Sequence, residues 1–147
     1  MTHHLPIQRV TLITLGVADL TRSRAFYKAL GWHPVSERDG ISFYQMHGAA
    51  LALFGVNDLA DDQNRPVAEL GRGAMTLAQN FTTEEDVDAA WHTAMNAGAI
   101  QIKLPQSASW GGYSGYFGDP DGHVWELAMN PFWPLAADGS LTLPAED

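Results

Sequence analysis

Glu126 is the only acid in the apolar run Val124–Met129, which closes the segment WGGYSGYFGDPDGHVWELAMNP, Trp110 to Pro131. A carboxylate among bulky apolar neighbours must find a partner or a proton. Ahead of it, Asp119, Pro120, Asp121 and Gly122 supply turn chemistry. The proline presets φ, the aspartates bond local backbone N–H groups, and the glycine accepts positive φ. The segment therefore reads as two short strands joined by a tight turn. Side chains alternate along a strand, so Val124, Glu126 and Ala128 share one face, and His123, Trp125, Leu127 and Met129 the other. Two fates are open to Glu126. Paired with an arginine it is a structural ion pair; unpaired, desolvation raises its pKa and suits it to general acid or base chemistry.

The elements that must position this residue come in two copies. Val10–Val17 is a β-rich run, Asp19 a helix cap, the helical pattern passes through Phe26 and Leu30, and Gly31 stops it. Gly73–Phe81 repeats the strand. Thr82 and Thr83, with Glu85 and Asp86 three residues on, give the capping-box spacing, and the helix runs through Val87, Trp91 and Met95 to Gly98. Laying MTLAQ on ITLGV sets Thr76 on Thr14 and Leu77 on Leu15, a shift of about 62 residues. Further strands are predicted at Trp32–Glu37, Ile41–His47 and Ala49–Val56, then at Ala99–Lys103, Ser114–Gly118 and His123–Met129. Each half thus reads βαβββ. A single domain over residues 1–147 divides into a first module (8–56), a polar linker with room for a short helix (57–72), a second module (73–130) and a C-terminal tail (131–147) that packs over the body or a partner.

Composition narrows the function classes. With 147 residues and 46% apolar content, the chain can form one compact domain that buries roughly two-thirds of its unfolded surface. A net charge of −9, with Lys28 and Lys103 as the only lysines, argues against a phosphate-binding face and hence against nucleic acid. The absence of cysteine excludes disulfides, thiolate metal sites and a cysteine nucleophile, and fits a reducing compartment. MTHHLPIQRV lacks the apolar segment of a signal peptide, and no run approaches the roughly 20 residues that span a bilayer, so the expected location is the cytoplasm, with no membrane partner. His3 and His4 read as a solvated, frayed terminus rather than a metal site. No Ser-His-Asp order, phosphate-cradling glycine loop or nucleotide fingerprint is present.

The paired βαβββ units, the opening TLGVADLTRSRAFYKALGW and the ending GYFGDPDGHVWEL resemble the vicinal oxygen chelate superfamily, which holds glyoxalase I, the bleomycin resistance proteins, fosfomycin-modifying enzymes and extradiol dioxygenases. The resemblance covers nearly the whole chain. It implies an α+β fold in which two βαβββ modules form curled mixed sheets around a cup for a small molecule or a metal, often completed across a homodimer. Metal-dependent members place ligands on the first strand of each half, on a later strand of the first half and, as Glu, on the final strand. Carried onto this chain, the final position is Glu126, while the others fall on Leu12, Ala74 and the span Leu51–Leu53. Leucine and alanine offer no lone pair, and one carboxylate cannot hold an ion that wants four to six ligands. The resemblance therefore implies neither a metal centre nor another cofactor here.

Within that framework the cup face carries Thr14 and Thr76, either as ordinary strand threonines or as hydroxyls that orient a ligand. Tyr116, placed like the pocket tyrosine of the superfamily, bonds either Glu126 or a ligand. Phe43 and Gln45 share one face of the third strand, taken as the inner one, with Tyr44 and Met46 on the other. Trp110 and Tyr113 flank Gly111 and Gly112 in an aromatic loop that either folds over a ligand or packs as a structural or dimer contact. His123 faces away from Glu126, His33, His47 and His92 read as surface or capping residues, and Trp91 and Trp125 as helix-to-sheet packing. The expected function is a metal-independent cup that binds, and in one reading converts, a small organic molecule anchored by Glu126 and Tyr116. Its rivals are a lyase or dioxygenase with a rearranged metal site and a fold kept for an interaction role; one scaffold hosts many chemistries.

Overall fold

The computed structural model describes residues 7–71 and 73–145; His3 and His4 lie outside them. Along the chain come β1 (Leu12–Val17), α1 (Leu20–Ala29), β2 (Ser36–Arg38), β3 (Ile41–Gln45), β4 (Ala50–Gly55), α2 (Val56–Asp62) and a 3₁₀ turn (Val67–Glu69). The second half supplies β5 (Leu77–Phe81), α3 (Glu84–Asn96), β6 (Ile100–Ser107), β7 (Tyr113–Gly118) and β8 (Val124–Met129). They form two four-stranded sheets, ordered β1-β4-β3-β2 and β5-β8-β7-β6. In each the first and last strands of the module pair in parallel and the remaining pairs are antiparallel. This is the α+β architecture of paired βαβββ modules that the repeat dictates.

Local chemistry sets the helix ends. The Asp19 side chain accepts the Arg22 N–H to start α1, and the Thr83 hydroxyl accepts the Asp86 N–H to start α3. Glu84, Glu85 and Asp86 fill the first turn of α3, where its dipole favours negative charge. Gly31 and Gly98, at φ 93° and 95°, turn the chain out of the two helices as L side chains rarely can. The caps stand 64 residues apart, at 19 and 83, so the modules superpose at a shift two residues longer than the sequence match suggested. Thr14 then corresponds to Ala78, and Thr76 to Leu12.

Several strands differ from their expected spans for identifiable reasons. β2 is confined to Ser36–Arg38, because Trp32 leaves the sheet to stack on Tyr27 (ring centroids 5.5 Å apart) and to meet Trp125 edge-on at 5.3 Å. β5 begins only at Leu77 rather than Gly73. β6 runs on to Ser107 through Pro105, tolerated on an edge strand, with register shifts on either side of Lys103. Gly115 on β7 permits that path: a Cβ there would lie 2.8 Å from the Pro105 backbone nitrogen and 2.9 Å from the Lys103 carbonyl oxygen.

One core serves both modules. Leu15, Val17, Tyr44, Leu51 and Leu53 of the first sheet meet Phe26 and Tyr27 of α1, Val87 and Trp91 of α3, and Phe117, Trp125 and Leu127 of the second sheet. Trp91 and Trp125 thus pack between helices and sheet, as their positions predict. Inside this apolar mass lies a polar knot. Asp119 is fully buried; its Oδ2 accepts the Tyr27 hydroxyl at 2.8 Å, and its Oδ1 accepts the Asp121 and His123 N–H groups at 2.9 and 2.8 Å. Tyr27 in turn accepts the Trp125 indole N–H at 3.0 Å. Asp121, expected to bond only its own turn, reaches the first module instead, accepting the Ala18 N–H at 2.8 Å and the Ser23 hydroxyl at 3.1 Å. His123 Nε2 donates to the Gly16 carbonyl at 2.7 Å.

Burial first, and the neighbouring Asp119 charge second, hold the Tyr27 hydroxyl protonated far above the usual tyrosine range. From about pH 10 upward the unfolded chain loses this proton while the native one keeps it, so stability falls as pH rises. Tyr27→Phe strands Asp119 and the Trp125 N–H, and is expected to cost about 1–3 kcal/mol at pH 7. It should also flatten the alkaline decline by about 1.4 kcal/mol per pH unit, both readable by urea unfolding between pH 7 and 11. Gly115→Ala should cost about 1–3 kcal/mol through its clash with the Pro105 backbone. Gly71→Ala, with nothing within 4 Å of the added carbon, serves as the neutral control in the same assay.

Candidate functional site

Strand register fixes what each sheet shows on the face turned away from the core. In the first sheet Thr14, Ala52, Phe43 and Ser36 stand in one transverse row. In the second the corresponding row is Ala78, Glu126, Tyr116 and Lys103. Phe43 and Gln45 share this face with Thr14, whereas Tyr44 is buried on the other. The superposition matches Ala52 with Glu126 and Phe43 with Tyr116. One row offers only two neutral hydroxyls, Thr14 and Ser36, and the other carries a carboxylate, a phenol and an ammonium.

The Tyr116 hydroxyl donates to Glu126 Oε2 at 3.0 Å. Among the described residues no arginine or lysine forms an ion pair with Glu126, and its Oε1 has no protein donor. Partial burial, then the hydrogen bond and charge of Glu126, push the Tyr116 hydroxyl above the ordinary phenol range. The pair is therefore a neutral phenol donating to a carboxylate that has further lone pairs to offer.

Trp110 and its loop lie at the Tyr113 end of β7. Backbone bonds from the Ala108 N–H to the Gly112 carbonyl and from the Gly111 N–H to the Ala108 carbonyl close the loop. The Trp110 ring lies where a Cβ of Gly112 would stand, and the Phe132 ring approaches Gly111. Both rings remain exposed, at 45% and 65%. Tyr113 points the other way: its hydroxyl donates to Asp88 on α3 at 2.7 Å, and that bond leads the causes that push its pKa up to about 12. Gln45 is exposed and donates to the Met46 and Ala49 carbonyls at 2.8 and 3.1 Å, closing the β3–β4 turn. Thr76 is exposed just ahead of β5. The structure brings together Glu126 and Tyr116, sets Thr14 and Phe43 on the equivalent row, and commits Tyr113 and Gln45 to structural bonds.

Two features had no clear sequence signal. Lys103 joins the Glu126 row only through the irregular register of β6, which simple alternation does not foresee. A cleft of about 760 Å³ opens where β1, α2, Leu70, Gly71, Gly73 and Met75 meet β6 and the β7–β8 turn, a junction of elements distant in sequence. For metal chemistry the donors are few. Leu12 and Ala52 are hydrocarbon, the 64-residue shift moves the second-half position from Ala74 to Thr76 with its neutral hydroxyl, and among the described residues no three His, Cys, Asp or Glu side chains gather closely enough to hold an ion.

The sequence profile of the Glyoxalase/Bleomycin resistance protein/Dioxygenase superfamily matches residues 9–127. The solved structure of a glyoxalase-related enzyme from Fulvimarina pelagi is 41% identical, covering 95% of this chain and 100% of its own, with a TM-score of 0.88. A lactoylglutathione lyase from Agrobacterium tumefaciens, 21% identical, covers 87% of this chain and 98% of its own at a TM-score of 0.66. A genomically encoded fosfomycin resistance protein from Listeria monocytogenes, 22% identical, covers 85% and 95% at 0.64. These last two share the fold. The curated proteins contain no match.

Removing the carboxylate should lower the Tyr116 pKa but leave the burial contribution in place. A difference titration near 295 nm, wild type against Tyr116→Phe and Glu126→Gln against the double variant, isolates this one phenol; an identical pKa in both backgrounds would show that the 3.0 Å bond is not formed in solution.

Proposed function

Because the chain belongs to the Glyoxalase/Bleomycin resistance protein/Dioxygenase superfamily, we propose that it takes up a small organic molecule against the Glu126–Tyr116 row without a catalytic metal. The observation that carries this reading is the 3.0 Å phenol–carboxylate pair, with Ala78, Val124 and Ala128 as the small or apolar neighbours of Glu126 on β5 and β8. Oε1 of Glu126 accepts a donor from the ligand, and Tyr116 keeps the carboxylate oriented. Thr14, Phe43 and Trp110 supply the surrounding contacts, with Thr76 at the margin. In a reactive ligand the same carboxylate is the base: through Oε1 it would take a proton from an acidic O–H or C–H and become a carboxylic acid, leaving the electron pair on the ligand atom, while Tyr116, whose raised pKa keeps its one proton, stays bonded to Oε2.

The ion centre implied by the family does not fit this donor set, since Leu12 and Ala52 contribute no lone pair, Thr76 offers only a neutral hydroxyl, and Glu126 is the sole carboxylate of its row. The Fulvimarina relative, described as a glyoxalase-related enzyme, favours catalysis over passive binding as the second reading. Leu12, Ile100, Ile102 and Leu104 are each 45–55% exposed, and this apolar surface supports a homodimer that completes the cup. No described helix is long and apolar enough to cross a membrane, and we place the protein in the cytoplasm on the strength of its cysteine-free composition.

Thermal-shift screening of a metabolite set against tag-free protein tests the proposal. Glu126→Gln and Tyr116→Phe should each weaken any hit about tenfold or more while the unliganded melting temperature holds within a few degrees. Near-stoichiometric zinc, nickel, manganese or iron in that protein, lost together with binding in Glu126→Gln, would replace this reading with a metal-dependent one.

A further inference from the structure

The cleft between the modules opens toward the same sheet face as Glu126. Val124 lines it and precedes Glu126 by two residues on one face of β8, a step of about 7 Å. Gly118 lines it two residues beyond Tyr116 on β7, and Ile102 lines it beside Lys103. At about 760 Å³ the cleft is within the size range of small-molecule sites. Its walls include Val56, Leu59, Leu70, Met75, Ile102 and Val124.

The charged groups at its rim are already engaged, and Thr14 adds a neutral hydroxyl. Asp121 accepts the Ala18 N–H and the Ser23 hydroxyl, and His123 donates to the Gly16 carbonyl. Arg65 pairs with Glu69 at 3.2 Å and donates to Gln63. The cleft therefore offers apolar contact; its own carboxylates, Asp121 and Glu69, are paired with Arg22 and Arg65, whereas Glu126, two residues from Val124, has no basic partner among the described residues.

We infer that the ligand is an elongated apolar molecule ending in a protonated amine, its body in the cleft beside Met75 and Val124 and its head on Glu126. This rests on the reading of Glu126 and Tyr116 as the polar anchor. A cationic head matches a half-buried carboxylate that has no basic partner among the described residues, and the chain's net charge of −9 draws cations toward it. Lys103, on the same row but exposed, is the counter-case: an anionic head would select it instead.

Isothermal titration of the full-length protein with butyl-, hexyl-, octyl- and decylamine, and with alkanoates of matched length, separates the possibilities. Affinity for the amines should rise about three- to fourfold per added methylene. Glu126→Gln should weaken every amine by about tenfold or more. Met75→Trp, at a 56% exposed position outside the core, should fill the cleft and abolish the dependence on length. Amine affinities that ignore chain length, or that Met75→Trp leaves unchanged, overturn the cleft assignment, and a residual effect of Glu126→Gln on butylamine would then show that the anchor itself stands. Length dependence with amine preference intact in Glu126→Gln overturns both the inference and the anchor. Equal or tighter binding of alkanoates, lost in Lys103→Ala, overturns the choice of head group. No binding of any amine also overturns the inference.

Discussion

A fully buried carboxylate between two modules is tolerable only if every lone pair that needs a donor has one, and Asp119 meets that demand with donors from three places. Two are backbone N–H groups of its own turn; the third is the hydroxyl of Tyr27, in the other module, which is itself fixed by the Trp125 indole. The last strand of the chain and the first helix are thereby held in one geometry. Asp121 and His123 reinforce it, bonding the backbone at Ala18 and Gly16 where β1 gives way to α1. Everything on the outer face of β8, Glu126 included, inherits its position from this knot.

The two sheets repeat one backbone and diverge in chemistry. Corresponding rows hold Thr14, Ala52, Phe43 and Ser36 on one side and Ala78, Glu126, Tyr116 and Lys103 on the other. The repeat supplies matched surfaces; only one carries ionisable groups. A cation that needs donors from both halves finds them in neither Leu12 nor Ala52, whereas a molecule with an apolar and a polar end finds a use for each.

The fold was legible because its signals are local: capping residues at Asp19 and Thr83, stop glycines at 31 and 98, and period-two alternation in β3, β7 and β8. The faces of Phe43, Tyr44 and Glu126 followed from that alternation. What escaped were relations set by tertiary structure. The match of MTLAQ to ITLGV misjudged the repeat by two residues, because similar side chains were aligned where the helix caps define the geometry. Tyr113 and Gln45 carry groups suited to a ligand, yet Asp88 and the β3–β4 turn claim them. The irregular path of β6 that brings Lys103 opposite Tyr116 depends on the missing side chain of Gly115, a consequence visible only once the strands are paired.

The bond from the Ala18 N–H to Asp121 spans 103 residues. A ribosome finishes α1 long before the turn that caps its entry and the carboxylate that receives Tyr27 have been made. The first module must wait, with its aromatic side chains lacking their final partners, until the last third of the chain appears. Assembly is therefore bound to completion: a product truncated before Asp119 lacks both the clasp and β8, the strand that joins β5 to β7.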